Sequence, residues 1–437
     1  MPTELVILSG TFLTILFFLL GVPIVLCIAT WVAFVSASSG DINALMNIGQ
    51  TTFYGISSFA LLAMPLFILT GDFIREGGIA KAFTDFARAL FGIFRGALAI
   101  ATLVASGLFS AISGSNSATT ATIGSMMIPE LKKEHYNEDF AAATAASGGT
   151  VGIIIPPSVI FIIYGVLLNV PVGDLFIAGI IPGVMMVIAM TMVAYIVARK
   201  NNWGLITKFS IRQVLRTAWA SKHGFIASIV TLGGIYSGCF SPTEAAGVAV
   251  AYCAFAGLCL TRQIPVKNTF KVMGRSAEIN GLLAPIIAFS VILQQQFTLL
   301  GVGEMVQSLL MGLGSEFLII ILMMVMIFAA GCIMESMPNV IIFAPILAPI
   351  AEQVGINSIH FGVIFVVGIA IGFITPPYGL NLFVASGITG IPYTRISRKI
   401  IWYVVALIIV WIVVALFPQI SLTFLSEEHL QTLCCLF

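Results

Sequence analysis

Two copies of one pattern constrain the fold of this chain most strongly: apolar segments broken by small polar residues and then by a Pro-Pro pair. The first copy occupies residues 113–117 (SGSNS) and 152–158 (GIIIPPS), and the second occupies residues 335–339 (ESMPN) and 372–378 (GFITPPY). A shift of 220 positions aligns them, with identities at Pro129 and Pro349, Gly148 and Gly368, Gly152 and Gly372, Ile154 and Ile374, and the pairs Pro156-Pro157 and Pro376-Pro377. Because proline lacks the N–H that a helix needs, this register predicts two related halves with helices broken at corresponding places.

The composition places these segments in a membrane. Hydrophobic residues make up 59% of the chain and charged residues 8%, whereas about 25% of a soluble domain is charged. Several apolar runs exceed about 18 residues, which is long enough to cross a hydrocarbon core of about 30 Å. Backbone N–H and C=O groups in lipid must be hydrogen-bonded within helices or a closed barrel. Barrel strands alternate apolar and polar residues and these runs do not, so the segments are expected to be helices. The sequence therefore predicts an all-α polytopic membrane protein.

Basic residues lie in three clusters that set the orientation. Of the 19 Lys and Arg residues, 13 fall within residues 199–222, 262–275 and 395–399, and no acidic residue interrupts these clusters. The positive-inside rule places them in the cytoplasm. A hairpin predicted over residues 96–131 is flanked by basic residues, and a second over residues 317–351 is flanked by Glu without Lys or Arg. We therefore expect inverted structural repeats, with the first re-entrant hairpin opening inward and the second outward.

The hairpin tips supply groups that can hold ions. Hydroxyls, an amide and carbonyls freed at a break suit a hard cation such as Na⁺, and the helix that starts near Ala118 offers N–H groups to an anion. Glu335 is the only acidic residue that we place at membrane depth, and no Lys or Arg is expected there. Such an acid usually marks an ion or substrate path. Small residues and prolines also serve ordinary helix packing, but their coincidence in both halves favours a binding role.

Three motifs carry a resemblance to a known family. At residues 114–120 (GSNSATT), 148–158 (GGTVGIIIPPS) and 372–379 (GFITPPYG) the chain resembles the large membrane (M) subunit of the tripartite ATP-independent periplasmic (TRAP) transporters. The resemblance implies Na⁺-driven, elevator-type uptake of a carboxylate-bearing solute across the bacterial inner membrane. It also implies a small four-helix membrane (Q) subunit and a periplasmic substrate-binding (P) protein as partners. Sialic acid is the substrate that we favour, and C4-dicarboxylates or other carboxylates are the alternative.

The same resemblance divides the chain into scaffold and transport parts. We expect one kinked crossing over residues 5–35 and, from the spacing of apolar residues, an amphipathic helix over residues 79–91 in the cytoplasmic interface. The expected parts are 1–91 for scaffold helices and this arm helix, 92–198 for the first transport repeat (broken helix 140–168), 199–278 for basic loops and joining helices, 279–394 for the second transport repeat (broken helix 361–388), and 395–437 for a C-terminal scaffold helix and tail.

The tips and breaks together predict two Na⁺ sites and one substrate site. The first Na⁺ site is expected at Ser115, Asn116 and Gly152, and the second at Ser336, Asn339, Gly372 and Thr375. The substrate carboxylate is expected near Ser113, Ser115 and Asn116, with Ser158 donating from the opposite wall. Across the cavity, Glu335 accepts hydrogen bonds from a sugar's hydroxyls but repels a second carboxylate. This contrast is the physical reason for preferring sialic acid to a compact dicarboxylate.

Two other functions, an intramembrane enzyme and a passive channel, remain as rivals. An enzyme needs a nucleophile with a base or a set of metal ligands, and the four histidines lie in loops or near segment ends. No GxxxxGK[ST] motif is present, so no nucleotide is hydrolysed by a P-loop. We therefore expect no enzymatic activity. A channel would show no saturable Na⁺ dependence, which separates it from a transporter by experiment.

Overall fold

A computed structural model describes residues 3–39, 48–204, 210–312 and 314–425 of the chain. Within these ranges the secondary structure is helical, without strands, and the predicted all-α fold class is confirmed. The N-terminal helices are α1 (Thr3–Leu19), α2 (Ile24–Ser39), α3 (Ile48–Ile56), α4 (Ala63–Glu76), which a 3₁₀ turn (Phe59–Leu62) precedes, and α5 (Ile79–Phe91).

The first N-terminal segment is a pair of helices and not one kinked helix. Gly21 has φ +82° and Pro23 follows it, so the chain leaves α1 and starts α2 in a new direction. The two helices pack side by side, and Trp31 Nε1 donates to Thr11 Oγ1 at 3.4 Å. The single crossing predicted over residues 5–35 is therefore wrong, because two short helices that reverse direction show the same hydropathy as one long helix.

The middle of the chain contains the first hairpin, the first broken helix and the joining helices. The first hairpin is α6 (Ala97–Ser113) and α7 (Asn116–Lys133). The first broken helix is α8 (Glu138–Gly149), a 3₁₀ turn (Thr150–Ile153) and α9 (Val159–Leu168). The following helices are α10 (Val172–Asn201), α11 (Ile211–Ala220), α12 (Lys222–Tyr236) and α13 (Pro242–Phe255), which a π turn (Ala256–Leu260) extends.

The last part contains the corresponding elements of the second half. It begins with α14 (Val266–Leu299) and α15 (Val302–Met311). The second hairpin is α16 (Glu316–Gly331) and α17 (Ser336–Gln353), and the second broken helix is α18 (Ser358–Gly372) and α19 (Leu380–Thr389). The described chain ends with α20 (Tyr393–Leu416) and α21 (Gln419–Leu422).

Helix bounds recur at the offset of 220 positions found in the sequence. Moved by this offset, α7 coincides with α17 at both ends, α9 falls one residue from α19, and α5 ends where α15 ends. The opposite orientation of the two halves across a membrane stays a prediction. Four helices in the described ranges are long and apolar enough to span a membrane, namely α10, α13 with its π turn, α14 and α20. The first arms of both hairpins, α6 and α16, are shorter apolar helices, as re-entrant arms require.

The two hairpins, the two broken helices, α10 and α20 pack together, and we call this set the central bundle. Within it, α20 contacts α8, α10 and α18. The hydroxyls of Tyr403 and Thr144 are 2.8 Å apart, and Trp411 Nε1 donates to the Ile364 carbonyl at 2.8 Å. These buried contacts join α20 to the bundle, whereas the assignment of residues 395–437 to a scaffold stays a prediction. We call α1–α5 and α11–α15 the outer helices.

Candidate functional site

The tip of the first hairpin is built by Gly114 and Ser115. Gly114 has φ +60°, a left-handed conformation that ends α6. Ser115 begins α7 as its N-cap, and its hydroxyl accepts from the Ala118 N–H at 3.4 Å. The hydroxyls of Ser113 and Thr119 lie 3.2 Å apart and tie the two arms together. The tip therefore presents serine hydroxyls beside the positive end of the α7 dipole.

This tip lies directly against the first helix break. A Cβ atom on residue 152 would be 2.5 Å from the Ser115 carbonyl oxygen and 2.8 Å from Asn116 Cα. A Cβ atom on residue 114 would be 2.7 Å from the Pro157 carbonyl oxygen. Only glycine permits both approaches. The structure thus brings Ser115, Asn116 and Gly152 together, and their binding of Na⁺ stays a prediction.

The second hairpin and the second break meet in a similar way. Glu335 is the N-cap residue of α17 without a side-chain capping bond. A Cβ atom on residue 372 would overlap the carbonyl group of Gly331, where α16 ends. The Tyr378 N–H donates to the Cys332 carbonyl at 3.1 Å and holds the break against the hairpin. In this break, Thr375 Oγ1 donates to the Ile371 carbonyl at 2.8 Å. The peptide bonds Pro156-Pro157 and Pro376-Pro377 are both cis.

A buried asparagine with an unpaired amide lies in the first turn of the second helix of each hairpin. Asn116 in α7 is 4% exposed and Asn339 in α17 is fully buried. Among the described residues, Nδ2 of Asn116 and both amide atoms of Asn339 have no hydrogen-bond partner. Leaving such a group unpaired costs about 1–3 kcal/mol, and such groups in a native structure need an explanation. A ligand with acceptor atoms would satisfy the two amide nitrogens, and a cation could bind the unpaired Oδ1 of Asn339.

The two tips line one cavity of about 270 Å³ between the central bundle and the outer helices. The starts of α7 and α17 both face it, so two positive helix ends converge on the same space. Ionisable side chains also line it: Glu335 from the second tip, Asp72 and Arg75 from α4, and Arg275 from α14. The expected absence of basic residues is wrong, because two arginines reach the cavity from the outer helices.

Asp72 is the second feature that the sequence analysis missed. Its side chain is 8% exposed, it pairs with Arg75 at 3.1 Å, and it accepts from Ser276 Oγ at 2.6 Å. Glu335 is therefore not the only acidic side chain near the tips. The signal in the sequence was an Asp and an Arg three residues apart, Asp72 and Arg75, at the end of an apolar run. Hydropathy gave no reason to place them in the site, because their position depends on packing of α4 against α14.

The predicted site residues divide into those that line the cavity and those behind it. Ser113, Ser115, Asn116, Glu335 and Ser336 line the cavity. Ser158 does not: its hydroxyl donates to the Ile153 carbonyl at 2.5 Å and accepts from the Phe161 N–H at 3.3 Å, which caps α9. The predicted contact of Ser158 with a substrate anion is therefore replaced by a capping role. Outside the cavity lining are Gly152, Asn339, Gly372 and Thr375.

Paired helical hairpins and broken helices around a charged cavity are typical of a membrane transporter. The family model described as the tripartite ATP-independent periplasmic transporter, DctM component, matches residues 11–420. The chain belongs to this family, so it is a component of a multi-pass membrane transporter and not an enzyme.

Curated relatives support the same assignment. The C4-dicarboxylate TRAP transporter large permease protein of Pseudomonas aeruginosa is 39% identical, over 83% of this chain and 86% of its own length. The sialic acid TRAP transporter large permease protein of Vibrio cholerae is 31% identical, over 84% and 86%. Among solved structures, the YdaH transporter of Alcanivorax borkumensis superposes with a TM-score of 0.63 at 14% identity, covering 87% of this chain and 89% of that one. The last likeness shows the fold alone.

Proposed function

We propose that the chain carries an organic acid across the bacterial inner membrane by Na⁺-coupled secondary active transport. The observation that carries this proposal is the single cavity lined by both hairpin tips, where the starts of α7 and α17 and two arginines converge. Positive helix ends and guanidinium groups stabilise a carboxylate without placing a bare charge in lipid. Membership of the periplasmic transporter family sets the class of solute carrier.

The buried amides support Na⁺ as the coupling ion. Asn116 lies beside Ser115 and Gly152, and Asn339 lies buried in the first turn of α17, at the second hairpin tip. Carbonyls freed at breaks and side-chain oxygens are the ligands that transporters of this kind offer to Na⁺. We propose one Na⁺ at Ser115, Asn116 and Gly152, and one at Ser336, Asn339, Gly372 and Thr375. Each ion would bind oxygen atoms, among them the unpaired Oδ1 of Asn339, and would add positive charge beside the carboxylate, which can accept from an amide N–H.

The position of the cavity supports an elevator mechanism. The cavity is lined on one side by the tips of the central bundle and on the other by α4 and α14 of the outer helices. If the bundle carries the substrate and the ions past fixed outer helices, the same cavity can open to either side in turn. The moving part would then be the central bundle, including α20, and the scaffold would be the outer helices.

The family also supports two protein partners. Its description as tripartite and periplasmic agrees with one further membrane component and one periplasmic component. We propose a small four-helix membrane subunit against the outer helices and a periplasmic binding protein that delivers the substrate. The complex would reside in the bacterial inner membrane and take solute toward the cytoplasm.

Two substrates are supported by different observations. Sialic acid is supported by Glu335, which can accept hydrogen bonds from hydroxyl groups, and by the relative from Vibrio cholerae. C4-dicarboxylates are supported by Arg275, which can neutralise a second carboxylate, and by the relative from Pseudomonas aeruginosa. The common requirement is one carboxylate at the first hairpin tip.

Uptake by reconstituted complexes tests this function. The chain and its two partners are placed in proteoliposomes, and radiolabelled succinate and N-acetylneuraminate are supplied with an inward Na⁺ gradient, with equal Na⁺ on both sides, or with choline. We expect concentrative, saturable uptake of one of the two only with the Na⁺ gradient. Saturable accumulation that is the same with and without a Na⁺ gradient would contradict the coupling of transport to Na⁺. Non-saturable equilibration would indicate a channel, and chemical conversion of the solute would indicate an enzyme.

A further inference from the structure

The outer wall of the cavity contains an ordered charged cluster that joins α4 to α14. Asp72 Oδ1 pairs with Arg75 Nη2 at 3.1 Å, and Asp72 Oδ2 accepts from Ser276 Oγ at 2.6 Å. Arg75 Nη2 also lies 3.2 Å from Glu76 Oε1. The carboxylate of Asp72 is therefore fully engaged, and Arg75 is held between two acids. Because hydrogen bonds to charged groups are the strong ones, this cluster fixes the position of residue 276 on α14.

Arg275 differs from Arg75 although both line the cavity. It precedes the anchored Ser276, so its backbone is held where α14 meets α4. In the described part of the chain no ion pair joins Arg275 to an acidic side chain, including Glu278 one turn further along α14. Its side chain is exposed at the cavity. A positioned guanidinium without an acidic partner is suited to bind an anion that is not part of the protein.

The first hairpin tip and Arg275 belong to different parts of the molecule. Ser113, Ser115 and Asn116 belong to the central bundle, whereas Arg275 belongs to the outer helices. A solute that has one carboxylate at the tip would leave Arg275 with water or with a neutral hydroxyl. A solute with two carboxylates would place the second against the guanidinium, which binds carboxylates in a bidentate manner. Glu335 on the other tip would repel that second carboxylate if it were turned away from Arg275.

We propose that Arg275 is a specificity-determining residue that binds a second anionic group of the substrate from the scaffold side of the cavity. This inference rests on the proposed function, because it takes the first carboxylate at the hairpin tip as given. The solute class that satisfies both groups is a short dicarboxylate. Arg275 would contact the dicarboxylate only in the arrangement of bundle and outer helices seen in this structure. It would therefore affect substrate binding in this conformation of the transport cycle.

The test compares two probes that differ by one charge. Succinate and its half-amide succinamate have the same length, so their ratio of affinities isolates the second carboxylate. Equilibrium binding is measured by calorimetry in Na⁺ buffer on the full chain assembled with its small membrane subunit, without the binding protein. Wild type, Arg275→Gln and Arg275→Lys are compared with Lys271→Gln, which removes a positive charge one turn away on α14 and outside the cavity lining.

We expect wild type to bind succinate at least about tenfold more tightly than succinamate, since the lost contact is charge-assisted. Arg275→Gln should reduce that ratio to about one while the affinity for succinamate stays unchanged, and Arg275→Lys should recover part of it. Lys271→Gln should keep the ratio of wild type. The inference would be overturned if Arg275→Gln kept the wild-type ratio of affinities for succinate and succinamate. It would also be overturned if wild type bound N-acetylneuraminate but not succinate.

Na⁺-dependent uptake by wild-type proteoliposomes, measured beside the calorimetry, separates the two proposals. Uptake of an organic acid can depend on Na⁺ while the ratio of the affinities for succinate and succinamate stays the same in Arg275→Gln. In that case only the inference fails. If wild type shows no Na⁺-dependent uptake of succinate or N-acetylneuraminate, the proposed function fails and the inference falls with it. A melting temperature of Arg275→Gln equal to that of wild type excludes loss of folding as the cause of a changed ratio.

Discussion

Glu335 and Arg275 line the same cavity, Glu335 from the central bundle and Arg275 from the outer helices, and their side chains have opposite hydrogen-bonding chemistry. Glu335 begins α17 and accepts hydrogen bonds, whereas Arg275 only donates them. A carboxylate in the cavity is therefore drawn toward one side, and hydroxyl or amide groups are drawn toward the other. Under the proposed function, we expect this pair of residues to set the orientation of the bound solute.

Replacement of Glu335 by Gln should impair uptake by at least about tenfold, because a hydrogen bond to a charged group is worth about 1.5–3 kcal/mol. Initial rates of Na⁺-driven uptake in proteoliposomes measure the effect. Glu316→Gln is the matched control, since Glu316 is an exposed acid at the far end of the same hairpin. Wild-type uptake by Glu335→Gln would remove this carboxylate from the site, together with the physical argument for sialic acid.

The buried asparagines make a second prediction at this scale. A ligand that binds only the folded state raises its stability in proportion to the logarithm of the ligand concentration. We expect the melting temperature of the wild-type chain to rise with NaCl but not with choline chloride, and this rise to shrink in Asn116→Ala and in Asn339→Ala. Asn201→Ala, at the exposed end of α10, should keep the full response. An unchanged Na⁺ response in both buried variants would show that neither amide holds the ion.

At the scale of elements, periodicity and the duplicated breaks predict a large part of the structure. The amphipathic helix expected over residues 79–91 is α5 with the same bounds, since its apolar face repeats at helical spacing. The broken helices and both hairpins also lie where the pattern placed them. Glycine and proline account for this success, because they fix where a helix ends by local conformation alone.

Contacts between distant elements could not be predicted in the same way. The pairing of α1 with α2, the position of α20 in the central bundle, and the arrival of Arg75 and Arg275 at the cavity all depend on which surfaces pack together. Apolar helices in lipid have no strong local signal for their partners, because lipid tails are as apolar as a neighbouring helix. The chemistry of the tips was accessible from sequence, and the opposite wall of the cavity was not.

At the scale of elements, the testable prediction concerns the orientation of the two hairpins across the membrane. Lys133 ends α7 and Glu352 lies near the end of α17, at the bases of the two hairpins. Single cysteines at these positions, in a chain whose native cysteines are replaced, are treated with a membrane-impermeant maleimide. We expect residue 352 to react from the periplasmic side of intact spheroplasts, and residue 133 to react only after the membrane is opened. Reaction of both in intact spheroplasts would refute the inverted arrangement.

For the whole molecule, the proposed elevator mechanism requires the central bundle to move against the outer helices. Ion pairs and close contacts cross this boundary at several points, as between Arg88 of α5 and Glu134 at the end of α7, whose Nη2 and Oε1 atoms are 2.7 Å apart. The Arg88 side chain is 46% exposed and the Glu134 side chain is 10% exposed. If the bundle moves against the outer helices, we expect this partly exposed pair to break and form during the cycle. The close contact between Gly71 of α4 and Ser113 at the first hairpin tip is more informative, because it joins the proposed scaffold to the proposed substrate site.

A cross-link at this contact tests the elevator mechanism. A Cβ atom on residue 71 would be 3.4 Å from Ser113 Cβ, which is close to the separation in a disulfide. We expect Gly71→Cys with Ser113→Cys, in a chain without native cysteines, to lose uptake on oxidation and to regain its own initial rate on reduction. Comparison within one variant removes any effect of Ser113 itself. The control pair, Gly55→Cys with Val291→Cys, joins two outer helices whose Cβ atoms would be 3.2 Å apart, and should keep uptake when oxidised. Complete cross-linking at 71 and 113 with full uptake would mean that the tip need not move past α4, and movement of the bundle as one body would then be excluded.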